Sequence, residues 1–170
     1  MGLLDLFKSR RKGHVENSLL SKNNKGSQCA GVCDVSLDAK YTPESITTLG
    51  RRDIFVFGSN LAGYHAGGAA RMAYNNFGAV WGQGEGLQGN SYAIPTMQGG
   101  VETIKPYVDK FIEFAENKKA LTFYVTKIGC GIAGFDVKDI APLFRQAYYL
   151  PNVVLPIEFV SYLKKESQTL

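Results

Sequence analysis

Short runs of apolar residues recur along the chain and are separated by stretches of mixed polarity. The runs at 54–57 and 121–126 consist mainly of β-branched, aromatic and aliphatic residues, which is typical of strands buried on both faces. Two shorter runs, at 92–96 and 153–155, predict two further strands. Because proline lacks the backbone N–H that a ladder requires, Pro95 must end its strand or place it at a sheet edge.

Helical periodicity is clearest over residues 101–117, where apolar side chains recur every three or four positions and charged side chains lie opposite. Weaker patterns predict helices over 66–77 and 137–149. Thr42 directly precedes Pro43, an arrangement typical of a helix N-cap, and this predicts a short helix or turn. Strands and helices therefore alternate along the chain.

This alternation favours the α/β class. We expect one three-layer α/β/α domain over residues 41–163. Its sheet should be mixed but mostly parallel, because helices that link successive strands are the usual connection between parallel strands. The helices should cover both faces of that sheet.

The two ends of the chain differ from this domain. Residues 1–40 are rich in Ser, Asn, Lys and Gly without a sustained period, which is typical of a flexible linker. We expect a basic N-terminal arm over 1–40 and a short C-terminal tail over 164–170. The basic cluster Lys8–Lys12 is interpreted as a solvated tail, and contact with nucleic acid or anionic lipid is the alternative.

Composition narrows the class of protein. The net charge of +4 on 170 residues is mild, so we do not expect nucleic acid among the partners. No run of about eighteen apolar residues is present, so we expect no membrane span. Three cysteines are few and odd in number, which favours a reduced, cytoplasmic protein. Cys29 and Cys33 are close together, but no second pair completes a zinc site, so neither a metal nor a cofactor is expected.

Two glycine-rich segments each follow a predicted strand. The first covers 58–70 and the second 127–135, and eleven of the 19 glycines lie between Gly58 and Gly100. Glycine lets backbone N–H groups approach a ligand closely, and a helix N-terminus adds a partial positive charge. Ligands of parallel sheets bind beyond the carboxyl ends of the strands. We therefore expect the two segments to hold opposite sides of one phosphate-bearing molecule.

Several side chains near these glycines are candidates for chemistry. Asn60 could bond a sugar hydroxyl through its amide and assist catalysis, or it could cap a turn. Glu85 is the lone carboxylate of the glycine-rich segment 82–89, which we expect to be flexible, and is a candidate catalytic acid. His65 could be a base or a phosphate contact, or an exposed loop residue. Aromatic side chains that could stack on a base, or instead belong to the core, are Trp81, Tyr92 and Phe135.

Cys130 is the basis of an alternative hypothesis, a transfer reaction with a cysteine nucleophile. A thiol at a helix N-terminus can have a lowered pKa and act as a nucleophile, although a small residue could simply be required at this position. The glycines 129, 131 and 134 have the spacing of a dinucleotide fingerprint. No acidic residue follows about twenty positions later at a strand end, so we exclude a Rossmann hydride-transfer enzyme.

The segments Phe57–Asn60, Gly67–Ala70 and Ile128–Phe135 resemble, in this order, segments of the macrodomain-type ADP-ribose-binding family. In that family an Asn-rich strand end, a Gly-rich loop with an Ala-rich helix, and a later loop that wraps the diphosphate follow one another. The resemblance covers residues 41–160 and is strongest to uncharacterised macrodomain-like proteins of phages and bacteria. The family's Asp-Ile-Thr is replaced by 45–47, Ser-Ile-Thr, with a glutamate just before it.

The resemblance implies a protein that binds ADP-ribose or a related NAD-derived nucleotide diphosphate, free or on an ADP-ribosylated macromolecule. Hydrolysis of an ADP-ribosyl or phosphate bond is a further activity that such a cleft allows. The alternative is a non-enzymatic protein-interaction module with a degenerate pocket. The ligand-binding residues that the resemblance implies are Ser59, Asn60, Gly67, Gly68, Gly129, Cys130, Gly131, Ile132, Ala133, Gly134 and Phe135.

Overall fold

The computed structural model describes residues 40–168. The Lys8–Lys12 cluster, Cys29, Cys33 and nearly all of the expected N-terminal arm lie outside the described residues.

A five-stranded mixed sheet forms the centre of the described region, with the strand order β2-β3-β1-β4-β5. The central strand β1 pairs in parallel with β3 and β4, and β4 pairs in parallel with β5. Strand β2 pairs antiparallel with β3 at one edge. The strands are β1 (Asp53–Ser59), β2 (Gly86–Gln88), β3 (Ser91–Pro95), β4 (Thr122–Val125) and β5 (Val153–Val154).

Between residues 40 and 168, four α-helices accompany the sheet, and the α/β class is confirmed. Helix α2 has the bounds that its periodicity predicts, and α1 lies within the predicted range 66–77. No helix in the described part of the chain has the length and apolar character needed to cross a membrane. The helices are α1 (Gly68–Asn76), α2 (Val101–Asn117), α3 (Val137–Ile140) and α4 (Ile157–Ser167).

Alternate residues of β1 belong to two different cores. Phe55 and Phe57 pack with α1 on one face of the sheet. Ile54 and Val56 pack on the other face with α2, α4 and the segment after α3. Since side chains of a strand point alternately to its two faces, helices cover both faces of the sheet.

The predicted helix over 137–149 is wrong as a continuous element. Helix α3 is followed by two 3₁₀ turns, Ala141–Phe144 and Ala147–Tyr149. Pro142 lies where an α-helix would continue, and it cannot donate the backbone hydrogen bond that continuation requires. The interrupted geometry still buries Ile140, Phe144 and Ala147.

Three other segments differ from expectation. No helix follows Thr42, whose N–H donates to Leu155 O (3.0 Å) and whose hydroxyl donates to Val154 O (2.7 Å), so this segment lies along β5. Part of the glycine-rich segment 82–89 is the edge strand β2. Helix α4 runs to Ser167, past the expected domain boundary at residue 163.

Candidate functional site

A cleft of about 400 Å³ lies beyond the carboxyl ends of β1 and β4. The chain leaves β1 toward the face covered by α1 and leaves β4 toward the opposite face. Adjacent strands whose connections diverge in this way open a crevice, the usual ligand site of an α/β sheet. The volume lies in the range of small-molecule pockets.

Loop 1, residues 60–67, forms one wall and is closed by its own side chains. The Asn60 amide donates to Tyr64 O (2.9 Å) and accepts from Tyr64 N (3.0 Å). Gly63 has φ +67°, and a Cβ there would collide with the backbone of Gln83. Asn60 therefore stabilises a turn, as the alternative interpretation of this residue predicted. It also lines the cleft.

The N-terminus of α1 opens into the cleft. Gly67 is the N-cap residue, makes no side-chain cap and has an extended conformation, and the first turn contains no acidic residue. The N–H groups of Gly68, Ala69 and Ala70 have no partner within the helix, and all three residues line the cleft. Exposed donors at the positive end of a helix favour an anion.

Loop 2, residues 126–136, forms the opposite wall. Thr126 begins it by donating its hydroxyl to Val56 O (2.9 Å) of the neighbouring strand. Gly129 has φ +77° and accepts at its carbonyl from Phe135 N (3.0 Å), which closes the loop on itself. A Cβ at Gly129 would lie 3.1 Å from Ile140 Cδ1, so a larger residue would press against the core.

Ile132 of loop 2 lies close to Gly67 of loop 1. Its side chain is 75% exposed, and its Cδ1 lies 3.1 Å from the position of a Cβ on Gly67. Any side chain at Gly67 would narrow the cleft at this point. Gly131 lies beside Ile132, and a Cβ there would meet nothing within 4 Å.

A third segment, which follows β3, closes the floor of the cleft. Thr96 donates through its N–H (2.8 Å) and its hydroxyl (3.3 Å) to Ser59 O. Ser59 is 3% exposed and donates its hydroxyl to Asn60 O (3.2 Å). Met97 follows Thr96 and is half exposed at the cleft.

Lys127 is the only charged residue that lines the cleft in the described structure. Its ammonium lies 3.0 Å from a carboxylate oxygen of Glu158 and 3.7 Å from one of Glu44. The hydrogen bond to Glu158 and the negative charge of that carboxylate raise the pKa of Lys127, and Glu44 adds to the effect. The described residues that line the cleft therefore include one cation, which is paired with Glu158 and Glu44, and no carboxylate.

The structure brings together most of the expected ligand-binding residues but not all. Cys130, Gly134 and Phe135 do not line the cleft, and Cys130 and Phe135 pack against the core below α2. Burial raises the pKa of the Cys130 thiol, although Lys127 opposes that effect, so the alternative of a thiol with a lowered pKa has no support here. The expected residues that line the cleft are Ser59, Asn60, Gly67, Gly68, Gly129, Gly131, Ile132 and Ala133.

Three other candidates lie away from the cleft surface. The Glu85 carboxylate pairs with Lys110 of α2 at 2.8 Å and is not among the lining residues. His65 is 1% exposed and bonds backbone carbonyls rather than solvent. Tyr92 is buried in the core, and this burial, with a contribution from Glu85, raises its pKa to about 12. Trp81 remains exposed.

Sequence reasoning missed several residues of the cleft. Thr96 and Thr126 each follow the last residue of a parallel strand by one position. That placement puts them at the same edge as Asn60 and could have identified them. Tyr64 and Met97 carry no comparable signal, because their positions depend on the shape of the loops.

Metal binding has no support within residues 40–168, where no three His, Cys, Asp or Glu side chains are grouped. Comparisons of this chain with protein-family models, with curated proteins and with solved structures found no match.

Proposed function

We propose that the cleft binds ADP-ribose or a related nucleotide diphosphate, as a macrodomain-like module would. The observation that carries this proposal is the arrangement of the two loops. The uncapped N-terminus of α1 faces loop 2 across a cleft in which Lys127 is the only charged residue among the described lining residues.

The chemistry of the walls favours a diphosphate over a neutral ligand. Backbone N–H groups at a helix N-terminus and a nearby ammonium both stabilise negative charge. Gly67 and Gly68 on one wall and Gly131 on the other carry no side chain that would cover the backbone. A ligand with two adjacent phosphates could bond both walls at once.

The order of the segments along the chain supports a macrodomain-like fold. A strand end with Asn60, an uncapped helix that begins with two alanines after its glycine, and a later glycine loop occur in the family's order. All three border one cleft. The mixed five-stranded sheet is compatible with this fold.

Binding is better supported than hydrolysis. No carboxylate or imidazole is among the described lining residues, so the cleft lacks an obvious general base. Glu85 is held by Lys110 outside that surface. Hydrolysis would need a water activated by the substrate's own phosphates.

The first experiment is isothermal titration of the full chain with ADP-ribose. We expect one-to-one binding with a dissociation constant near 1 µM, about −8 kcal/mol. Gly131→Ala and Gly131→Leu should weaken binding in proportion to the added volume, at least fivefold for leucine. The melting temperature of Gly131→Ala should match that of the unsubstituted protein, because a Cβ at residue 131 meets nothing within 4 Å.

Tyr149→Ala is the matched control, since Tyr149 is 71% exposed and does not line the cleft. Absence of heat with ADP-ribose, or equal affinity across the Gly131 series, would overturn the assignment of the cleft.

A further inference from the structure

Three exposed aromatic rings form a continuous surface at the rim of the cleft. Tyr64, Trp81 and Tyr74 are 60%, 51% and 46% exposed. The Trp81 ring centroid lies 5.7 Å from that of Tyr64 and 5.9 Å from that of Tyr74. We call these three side chains the aromatic platform. Exposed aromatic rings in mutual contact are characteristic of binding surfaces.

Two buried polar side chains hold the loop that presents Trp81. His65 Nε2 lies 3.0 Å from Val80 O and 3.1 Å from Gln83 O, and it acts as donor because both partners are carbonyls. Gln88 accepts from Val80 N (2.6 Å) and donates to Gln83 O (2.9 Å). The backbone on both sides of Trp81 is therefore fixed.

The two buried polar side chains cost free energy of folding that apolar side chains in the same places would not cost. His65 and Gln88 are 1% and 4% exposed, and the Nδ1 atom of His65 is buried without a partner. Burying polar groups is unfavourable unless they are fully bonded. The side-chain hydrogen bonds of His65 and Gln88 stabilise the loop that carries Trp81. They therefore preorganise a ring that is exposed.

The charges near the platform in the sequence do not oppose a ligand that carries phosphate. Residues 54–84 contain no Asp or Glu, and Arg71 is their only formal charge. Glu85 follows directly, but its carboxylate pairs with Lys110 at 2.8 Å. Tyr64 belongs both to the platform and to the cleft wall, next to Gly67 at the start of α1. A planar group attached to a phosphate in the cleft would thus contact the platform without approaching a carboxylate of residues 54–84.

We propose that the aromatic platform stacks the nucleobase of the nucleotide whose phosphates lie in the cleft. This inference rests on the proposed function and adds the position of the base, on the side of loop 1. Aromatic rings stack well on nucleobases because both present polarisable π faces. Tyr92 and Phe135 cannot take this role, since Tyr92 is buried and both pack in the core.

The chain contains one tryptophan, so Trp81 reports directly on its own environment. The test titrates ADP-ribose, AMP and inorganic pyrophosphate into the full chain and follows both heat and tryptophan fluorescence. We expect ADP-ribose and AMP to quench Trp81, and pyrophosphate to bind without quenching.

Calorimetry of Trp81→Ala and Trp81→Phe separates stacking from structure. The alanine variant should lose at least tenfold in affinity for ADP-ribose and stay within twofold for pyrophosphate. The phenylalanine variant should recover most of the loss. Tyr149→Ala is again the control.

The outcomes separate the two proposals. Binding of ADP-ribose that Trp81→Ala leaves unchanged would overturn the platform inference alone. An equal loss for ADP-ribose and pyrophosphate would assign Trp81 a structural role and also overturn it. No binding of any of the three ligands would overturn the proposed function, and the platform inference with it.

Discussion

At the scale of single residues, Lys127 lines the cleft and also contacts helix α4. Its ammonium pairs with Glu158 near the start of α4 and with Glu44. These pairs are partly exposed, so they add little to stability. We therefore expect Lys127 to matter more for binding an anion in the cleft than for stability.

We expect Lys127→Gln to weaken ADP-ribose binding by roughly tenfold and to reduce its dependence on salt, because one charge–charge contact is lost. Calorimetry at low and high ionic strength measures both effects. Lys138→Gln is the matched control, since Lys138 pairs with Asp136 on the surface and does not line the cleft. Equal effects of the two substitutions would show that only net charge matters.

Cys130 shows how burial decides between two interpretations of a cysteine that its position in the sequence left open. The thiol lies in a glycine loop, but it packs against the core, and burial raises its pKa. The folded state therefore favours the protonated thiol. Its contribution to stability is present below the thiol pKa of the unfolded chain and is lost as pH rises through the folded value.

We expect iodoacetamide to modify Cys130 more slowly in the folded protein than in urea at neutral pH, because the thiolate reacts and the thiol does not. The folded rate should rise only at a pH above the usual thiol range. Mass spectrometry of the peptide that contains Cys130 separates its rate from those of Cys29 and Cys33. A folded rate at or above the rate in urea would contradict the burial argument.

At the scale of elements, Asn152 caps a helix from outside. It precedes β5, is 9% exposed, and its amide lies within hydrogen-bond distance of the carbonyls of Ala115 (3.0 Å), Leu121 (3.2 Å) and Lys118 (3.3 Å). These acceptors belong to the end of α2 and the turn after it. Asn152 thus joins the end of α2 to the start of β5.

Replacing Asn152 by alanine should lower the free energy of unfolding by about 1–3 kcal/mol, because the side-chain amide that bonds the end of α2 and the turn after it is lost, and each such hydrogen bond contributes about 0.5–1.5 kcal/mol. Asn152→Asp should cost more at neutral pH, since a carboxylate cannot donate and faces the negative end of a helix. Urea unfolding measures both. Asn75→Ala, on the exposed surface of α1, should stay within about 0.5 kcal/mol. Comparable losses at both positions would refute the capping role.

Element prediction succeeded where one period extends over several turns. Helix α2 has a clear apolar face, and its bounds agree with the pattern. The segment 137–149 shows apolar spacing too, but Pro142 and the short turns around it convert the helix into 3₁₀ geometry. Strand β2 has three residues, of which the first is Gly86, and Gly89 follows it. Its pairing with β3 is a tertiary contact that the local pattern does not contain.

At the scale of the whole molecule, the sequence predicted the edge of the sheet where the cleft lies. Glycines after two parallel strands indicate that edge, because parallel strands end together. Which side chains near this edge are buried and which line the cleft was not predictable, because that depends on the tertiary neighbours of each side chain. His65 is buried under the loop of Trp81, while Ile132, an apolar residue, is exposed in the cleft.

The parallel pairing of β1 also has a consequence for how the protein is made. Its partner β4 begins about seventy residues later in the chain. At ribosomal rates of about 5–20 residues per second, roughly 4–14 s pass between the synthesis of β1 and the synthesis of β4. During this interval the apolar residues 54–57 have one edge unpaired on the nascent chain. The cleft, which needs the ends of both strands, is therefore completed late in synthesis, after most of the domain has emerged.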